Sequence, residues 1–132
     1  MSATAFKKLK AWLATYPRWE DCPANFCLLP KSVEETSRQA DVLGNNLVGY
    51  RYAVTLYWQM AGQGDEGEDA CRLLDFQNWV REQSVLGLAP GLGDIPALER
   101  IRAEKGGFTP GAQIVTYTVT LVADFVKAYD VN

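Results

Sequence analysis

A glycine-rich acidic segment is the first part of this sequence whose residue types and spacing could do chemistry. Gly62-Gln63-Gly64-Asp65-Glu66-Gly67 fits the G-x-G-x-x-G pattern of dinucleotide-binding loops, where backbone N–H groups and a helix N-terminus hold a pyrophosphate. The segment and the residues after it carry four carboxylates, at Asp65, Glu66, Glu68 and Asp69. Because these charges would repel a pyrophosphate, we predict a solvated acidic loop and no bound cofactor.

Other catalytic and metal chemistry has little support in the residue types. The chain has no histidine, which excludes Ser–His and Cys–His nucleophiles and removes the commonest metal ligand. The three cysteines, Cys22, Cys27 and Cys71, cannot complete a four-ligand zinc site. The acidic segment lacks the ligand spacing of a calcium loop. We predict no catalytic residue and no metal site, and we interpret the cysteines as buried free thiols in a reducing compartment.

Length and charge limit the possible partners. The chain has 132 residues, enough for one domain with a substantial core. Its 13 Lys and Arg against 16 Asp and Glu give a net charge of −3, which offers no general attraction to nucleic acid or to anionic lipid. No stretch reaches the ~20 apolar residues of a membrane span, and no signal-peptide pattern opens the chain. We predict neither sequence-specific nucleic acid nor membrane among the partners.

Two segments have the apolar spacing of amphipathic helices. The first runs from Thr4 to Tyr16, with apolar residues three and four apart, and Pro17 stops it. Its opposite face carries Lys7, Lys8 and Lys10. The second begins near Glu68 and ends at Gly87; its apolar stripe contains Leu73, Phe76 and Val80.

Alternating apolar residues predict strands on either side of the second helix. The clearest cover Leu47–Met60 and Ile114–Phe125, and each has one polar face, which favours an antiparallel sheet. Shorter or weaker patterns suggest strands over Asn25–Pro30 and Ala97–Glu104, the latter closed by a turn at Lys105-Gly106-Gly107. The polar segment Ser32–Val42, which carries Glu34, Glu35 and Arg38, fits either an edge strand or a loop.

These elements predict a single α+β domain over residues 1–132. Its antiparallel β-sheet has four to five strands with two helices packed on one face, in the order α-β-β-β-α-β-β. The aromatic residues of the helices and strands fill the core between the layers. They are Trp12, Tyr50, Tyr52, Trp58, Phe76, Trp79, Tyr117 and Phe125.

The order of elements and several short strings resemble a family. The opening helix, the Asn25–Pro30 strand and the polar stretch are followed by a turn before Tyr50-Arg51-Tyr52-Ala53-Val54. The later strings are Phe76-Gln77-Asn78-Trp79-Val80, Leu88-Ala89-Pro90, Gly91-Leu92-Gly93 and the Tyr117–Leu121 strand. Together they look like the small tail terminator or minor capsid proteins of long-tailed phages and prophages, across nearly the whole chain.

This resemblance implies a structural virion protein of the tail or neck, without catalysis, that assembles in the host cytoplasm. Such proteins form a ring, usually of six subunits, that caps the tail tube protein and joins it to the head–tail connector or stopper protein. The surfaces that could contact a neighbouring subunit or the tube are its charged patches. They are the acidic cluster Asp65, Glu66, Glu68 and Asp69, the lysines Lys7, Lys8 and Lys10, and the polar-segment residues Glu34, Glu35 and Arg38. Reversing the four acids to lysine is expected to leave the fold intact and weaken assembly.

Other functions stay open at this point. The protein could be a head-side neck, stopper or minor capsid protein, or a cytoplasmic non-enzymatic adaptor that binds one partner as a monomer or dimer. A carboxylate-based or nucleotide-dependent enzyme using Gly62–Gly67 is the remaining alternative.

Overall fold

The fold is an antiparallel sheet with two helices on one face. A computed structural model describes residues 2–19, 26–62, 64–111 and 113–130. Within them the elements are α1 (Ala3–Leu13), β1 (Cys27–Ala40), β2 (Asn46–Ala61), α2 (Glu66–Val85), a 3₁₀ turn (Pro96–Leu98), β3 (Arg100–Thr109) and β4 (Ile114–Tyr129). The strand order is β1-β2-β4-β3, with every neighbouring pair antiparallel. This confirms the predicted α+β class and the antiparallel sheet.

The element order differs from the prediction in one place, because the polar segment is not separate from the strand before it. β1 is continuous from Cys27 to Ala40, so two strands rather than three precede α2. The pairing with β2 shifts between Pro30 and Ser32 and again between Glu35 and Ser37. These bulges let the chain pass a proline without ending the strand. A polar sequence suits this position because an edge strand faces solvent.

β3 also differs from the prediction, because Lys105-Gly106-Gly107 does not end it. The strand runs to Thr109 through a bulge between Glu104 and Gly107, and Lys105 has a positive φ of 52°. A Cβ at Gly106 would collide with the side chain of Gln77 in α2. The glycine therefore allows close helix–strand packing inside a strand instead of forming a hairpin turn.

The helix ends follow from local hydrogen bonds. Ser2 caps α1, its hydroxyl accepting from the Ala5 N–H at 3.1 Å. α1 ends at Leu13, earlier than Pro17 alone would require. The indole N–H of Trp19 donates to the Leu13 carbonyl at 2.7 Å, which satisfies one of the acceptors that a helix C-terminus leaves open. The segment after α1 therefore turns back onto the core.

The core lies between the helices and one face of the sheet, as predicted. Phe76 is 0% exposed and its ring packs against those of Tyr16, Trp19 and Trp58. The rings of Trp58 and Tyr117 stack at 4.9 Å. The eight aromatics assigned to the core are all in it or packed against it: Trp12, Trp58, Phe76, Tyr117 and Phe125 are buried, and Tyr50, Tyr52 and Trp79 are partly buried.

Candidate functional site

The acidic cluster lies at the N-terminus of α2, where its charges stabilise the helix. Asp65 is the N-cap, and its carboxylate accepts from the Gly67 N–H at 2.9 Å. Glu66 and Glu68 lie in the first turn and are exposed, where negative charge is favourable. The Asp65 carboxylate therefore already binds the Gly67 N–H, a donor that a phosphate-binding loop would offer to its ligand. Gln63 of the G-x-G-x-x-G string lies outside the described residues.

Asp69 differs from the other three acids because it is only 5% exposed. Its main-chain carbonyl accepts from the Tyr117 hydroxyl at 2.9 Å, and its carboxylate lies 3.9 Å from the Arg72 guanidinium. A lysine here would bury a cation in place of an anion, and a lysine at Asp65 would remove the cap. The expectation that all four acids can be reversed without harm to the fold does not hold for this structure.

The three lysines of α1 lie on its solvent face. Lys7 and Lys10 are exposed. Lys8 is exposed as well, and its Nζ donates to the Gly91 carbonyl at 3.2 Å. This contact ties α1 to the loop after α2, while Lys7 and Lys10 present charge outward.

The charged residues of β1 are exposed along a free sheet edge. The Arg38 Nε donates to the Glu35 carboxylate at 2.7 Å, and this contact raises the pKa of Arg38 above its usual value. Glu34 has no ion-pair partner within the described ranges. Arg51 of β2 lies directly opposite Glu34 in the strand register.

A row of alternating charges crosses the sheet face that lies opposite the helices. The register pairs Glu34 with Arg51, Arg51 with Asp124, and Asp124 with Arg100, so the row crosses all four strands. The Arg51 Nε donates to Asp124 at 2.8 Å, and the hydrogen bond raises the pKa of Arg51. Arg102 donates to the other Asp124 oxygen at 3.0 Å. We call Glu34, Arg51, Asp124 and Arg100 the charged row.

The polar faces predicted for Leu47–Met60 and Ile114–Phe125 include Arg51 and Asp124, but nothing in the sequence brings the two residues together. The alternating pattern of each strand does indicate that Arg51 and Asp124 point away from the core. Assembling the row also required knowing that β2 and β4 are neighbours, although β2 and β4 are separated by a helix and a strand in sequence.

An open groove runs between α2 and the outer edge of β3. Its volume is about 640 Å³, and its lining includes Arg81, Val85, Arg100 and Lys105. Arg81 donates to the Asn78 side chain, and Arg100 donates to backbone carbonyls. Among the described residues, neither arginine nor Lys105 has a carboxylate partner. Arg102 and Glu104 also line the groove and pair with each other at 3.3 Å, so the groove keeps a net positive charge. It has an apolar side because Val85 is 79% exposed.

The loop between α2 and β3 is held by a buried carboxylate. Glu99 is 3% exposed, and its two oxygens accept from the N–H groups of Gly91 at 2.7 Å and Gly93 at 2.9 Å. A Cβ at Gly93 would lie 2.7 Å from the Val126 carbonyl, so the loop backbone lies directly against β4. Glu99 thereby holds the loop that leads into β3, the strand that borders the groove.

A tyrosine cluster lies where the N-terminus of α1 meets the sheet. The hydroxyls of Tyr50 and Tyr129 are 3.0 Å apart, and Tyr52 and Phe125 pack beside them. The hydrogen bond to Tyr129, together with burial, raises the pKa of Tyr50. Burial raises the pKa values of Tyr52 and of Tyr117 in the core.

These shifts predict loss of stability at high pH. Because the folded-state pKa values are raised, unfolded tyrosines ionise first, and stability present below pH ~10 falls as the pH rises further. In a spectrophotometric titration, tyrosinate should form later in the folded chain than in urea. Tyr129→Phe should reduce the delay more than a control change at the exposed Tyr57. Superimposable folded and unfolded titration curves would contradict the prediction.

The cysteines are not buried as expected. Cys27 and Cys71 are free and exposed, one on the edge strand β1 and the other on α2. Cys22 lies outside the described residues. Thiols in these positions cannot contribute to the core.

Two further observations concern metals and membranes. Over the described ranges, no group of three or more Cys, Asp or Glu residues is placed to hold a metal ion. No helix there is both long enough and apolar enough to cross a bilayer.

Comparison with known proteins gave no match. Neither the known protein families, nor the curated proteins, nor the solved structures contain a significant relative of this chain.

Proposed function

We propose that this protein is a structural subunit that assembles head to tail into a ring, in the manner of a phage tail terminator. The observation that carries the proposal is the sheet itself. β1 and β3 form its two edges, and the alternating strand directions make them run in opposite directions. The β1 edge of one copy can therefore meet the β3 edge of the next while the antiparallel alternation continues.

Such a contact is heterologous, because one surface meets a different surface on the neighbour. Heterologous contacts produce closed rings when the rotation between subunits closes, and filaments when it does not. The resemblance to tail terminators supports a ring of six that caps the tail tube and joins it to the head–tail connector. A head-side neck or stopper protein could use the same assembly.

The test is the mass of the purified chain by light scattering over a wide concentration range, with negative-stain images of the same fractions. We expect closed rings of about six subunits. Addition of tail tubes polymerised from the tube protein of the same phage should place one ring on a tube end. A compact dimer that forms at every concentration and does not bind the tubes would contradict the proposal and favour an adaptor.

The exposed acids of α2 test whether the acidic cluster contributes to tube contact. Glu66→Gln with Glu68→Gln should lower the free energy of unfolding by about 0.3–1 kcal/mol per residue, from lost helix-dipole interaction, and should weaken capping of tubes. Glu82→Gln, an exposed acid near the other end of α2, is the matched control. Capping equal to wild type in the double variant would remove the acidic cluster from the tube interface.

A further inference from the structure

Each end of the charged row lies at a free edge of the sheet, with no further strand beside it in the described part of the chain. It reads negative, positive, negative, positive from Glu34 to Arg100. Arg51 and Asp124 in the middle are paired at 2.8 Å. At the ends, neither Glu34 nor Arg100 has an ion-pair partner among the described residues. A second β1 edge placed beside β3 in the register that extends the row would put a new Glu34 next to Arg100 and continue the alternation.

In the same register, the residues on the opposite side of the sheet are complementary as well. One residue along, the register pairs Val33 with Tyr52, Tyr52 with Ala123, and Ala123 with Ile101, which is an apolar row on the helix side. Val33 is 45% exposed at the β1 end. Beyond Ile101 lies the groove with the exposed Val85. A β1 edge aligned by its charge on one face is therefore also aligned by its apolar residue on the other.

From these two rows we infer that the groove between α2 and β3 is the docking site for the β1 edge of a second copy of this chain. Glu34 of one copy lies against Arg100 of the next, and Val33 enters the groove beside Val85. This inference rests on the proposed ring and names the contact that builds it.

The two edges can form only part of a backbone ladder, so side chains add to this contact. The Ser84 hydroxyl of α2 accepts from the outward N–H of Ile101 at 3.1 Å, so this β3 donor is already used. On β1, Pro30 lacks an N–H and two register shifts interrupt the strand. Such features discourage indiscriminate strand addition, so the match of charge and shape selects the partner.

Charge favours a second β1 edge over a two-fold contact between two grooves. Arg81, Arg100 and Lys105 make the groove cationic, so two grooves facing each other would repel. Glu34 supplies the opposite charge at the matching position in the register. The contact is therefore head to tail.

A charge swap tests the ionic part. Glu34→Arg and Arg100→Glu should each raise the concentration needed for half assembly about tenfold or more, since like charges then meet. The combined variant should return to within about threefold of wild type. Arg18→Glu, at an exposed position outside the candidate contact surfaces, is the charge-reversal control. Failure of the combined variant to recover would overturn the Glu34–Arg100 contact.

Cross-linking tests the geometry. In a background with Cys22, Cys27 and Cys71 replaced by serine, Glu34→Cys with Arg100→Cys should give a ladder of covalent multimers with a short bismaleimide. Either cysteine alone should give none, and Glu34→Cys with Glu82→Cys is the control pair. Dimers from a single cysteine would indicate a two-fold contact and overturn the inference.

The two proposals fail in different ways. Rings that form in the wild type but give no Glu34–Arg100 ladder would contradict the docking site and leave the ring intact. A wild-type chain that stays monomeric at every concentration and shows no ladder would contradict both.

Discussion

Replacing Phe76 with alanine is expected to destabilise the fold by about 3–5 kcal/mol. The ring is 0% exposed and lies between the aromatic residues that join α1, α2 and the sheet. Trp58 and Trp79 both pack against it. The truncation leaves a cavity that these rigid rings cannot close. The variant therefore loses the free energy of burying the ring and also the van der Waals contacts around it. Urea unfolding followed by tryptophan fluorescence measures the effect.

The matched control is Leu74→Ala in the same helix. Leu74 is 56% exposed, so its truncation should change the free energy of unfolding by less than about 0.5 kcal/mol. Equal effects at Phe76 and Leu74 would mean that α2 does not bury the face described here.

Glu99→Ala is expected to destabilise the protein by about 1–3 kcal/mol, because the variant removes a buried carboxylate that accepts from two loop N–H groups. These donors belong to Gly91 and Gly93, whose loop packs against β4. The loss should be concentrated in the loop before β3. Hydrogen exchange at Gly91 and Gly93 should therefore accelerate along with the fall in unfolding free energy.

Two control variants separate the buried carboxylate from a general charge effect. Glu99→Gln keeps one acceptor oxygen and should lose less than Glu99→Ala. Glu82→Ala removes an exposed carboxylate and should have little effect. Unchanged exchange at Gly91 in Glu99→Ala would show that the carboxylate does not hold the loop.

The parts of the fold that could be predicted are those with strong local periodicity. The alternation over Leu47–Met60 and Ile114–Phe125 marks β2 and β4 because each has one buried face. β1 is harder to predict from sequence, because it is an edge strand and its C-terminal half has no apolar pattern that would mark it as a strand. At Gly106 the sequence favours a turn, but the chain continues as a bulged strand that lies close to Gln77 of α2.

The candidate site was less predictable because it depends on pairing between distant segments. Glu34 was singled out as a surface charge, but Arg100 was not, and nothing local relates the two. Their relation follows from three strand registers in succession. Asp69 illustrates the reverse problem: it lies among exposed acids in sequence, yet the helix turns it toward the interior.

The alternating signs of the charged row also bear on how fast subunits find one another. Each positive charge of the row has a negative charge in the neighbouring strand. At distances beyond the Debye length of about 8–10 Å, the fields of these opposite charges largely cancel. The row therefore projects little long-range field, and it discriminates only once two edges are in contact. The row itself should therefore not accelerate encounter at low ionic strength, and any such acceleration should come from the net positive groove. The row thus acts on how long two correctly aligned edges stay together rather than on how often they meet.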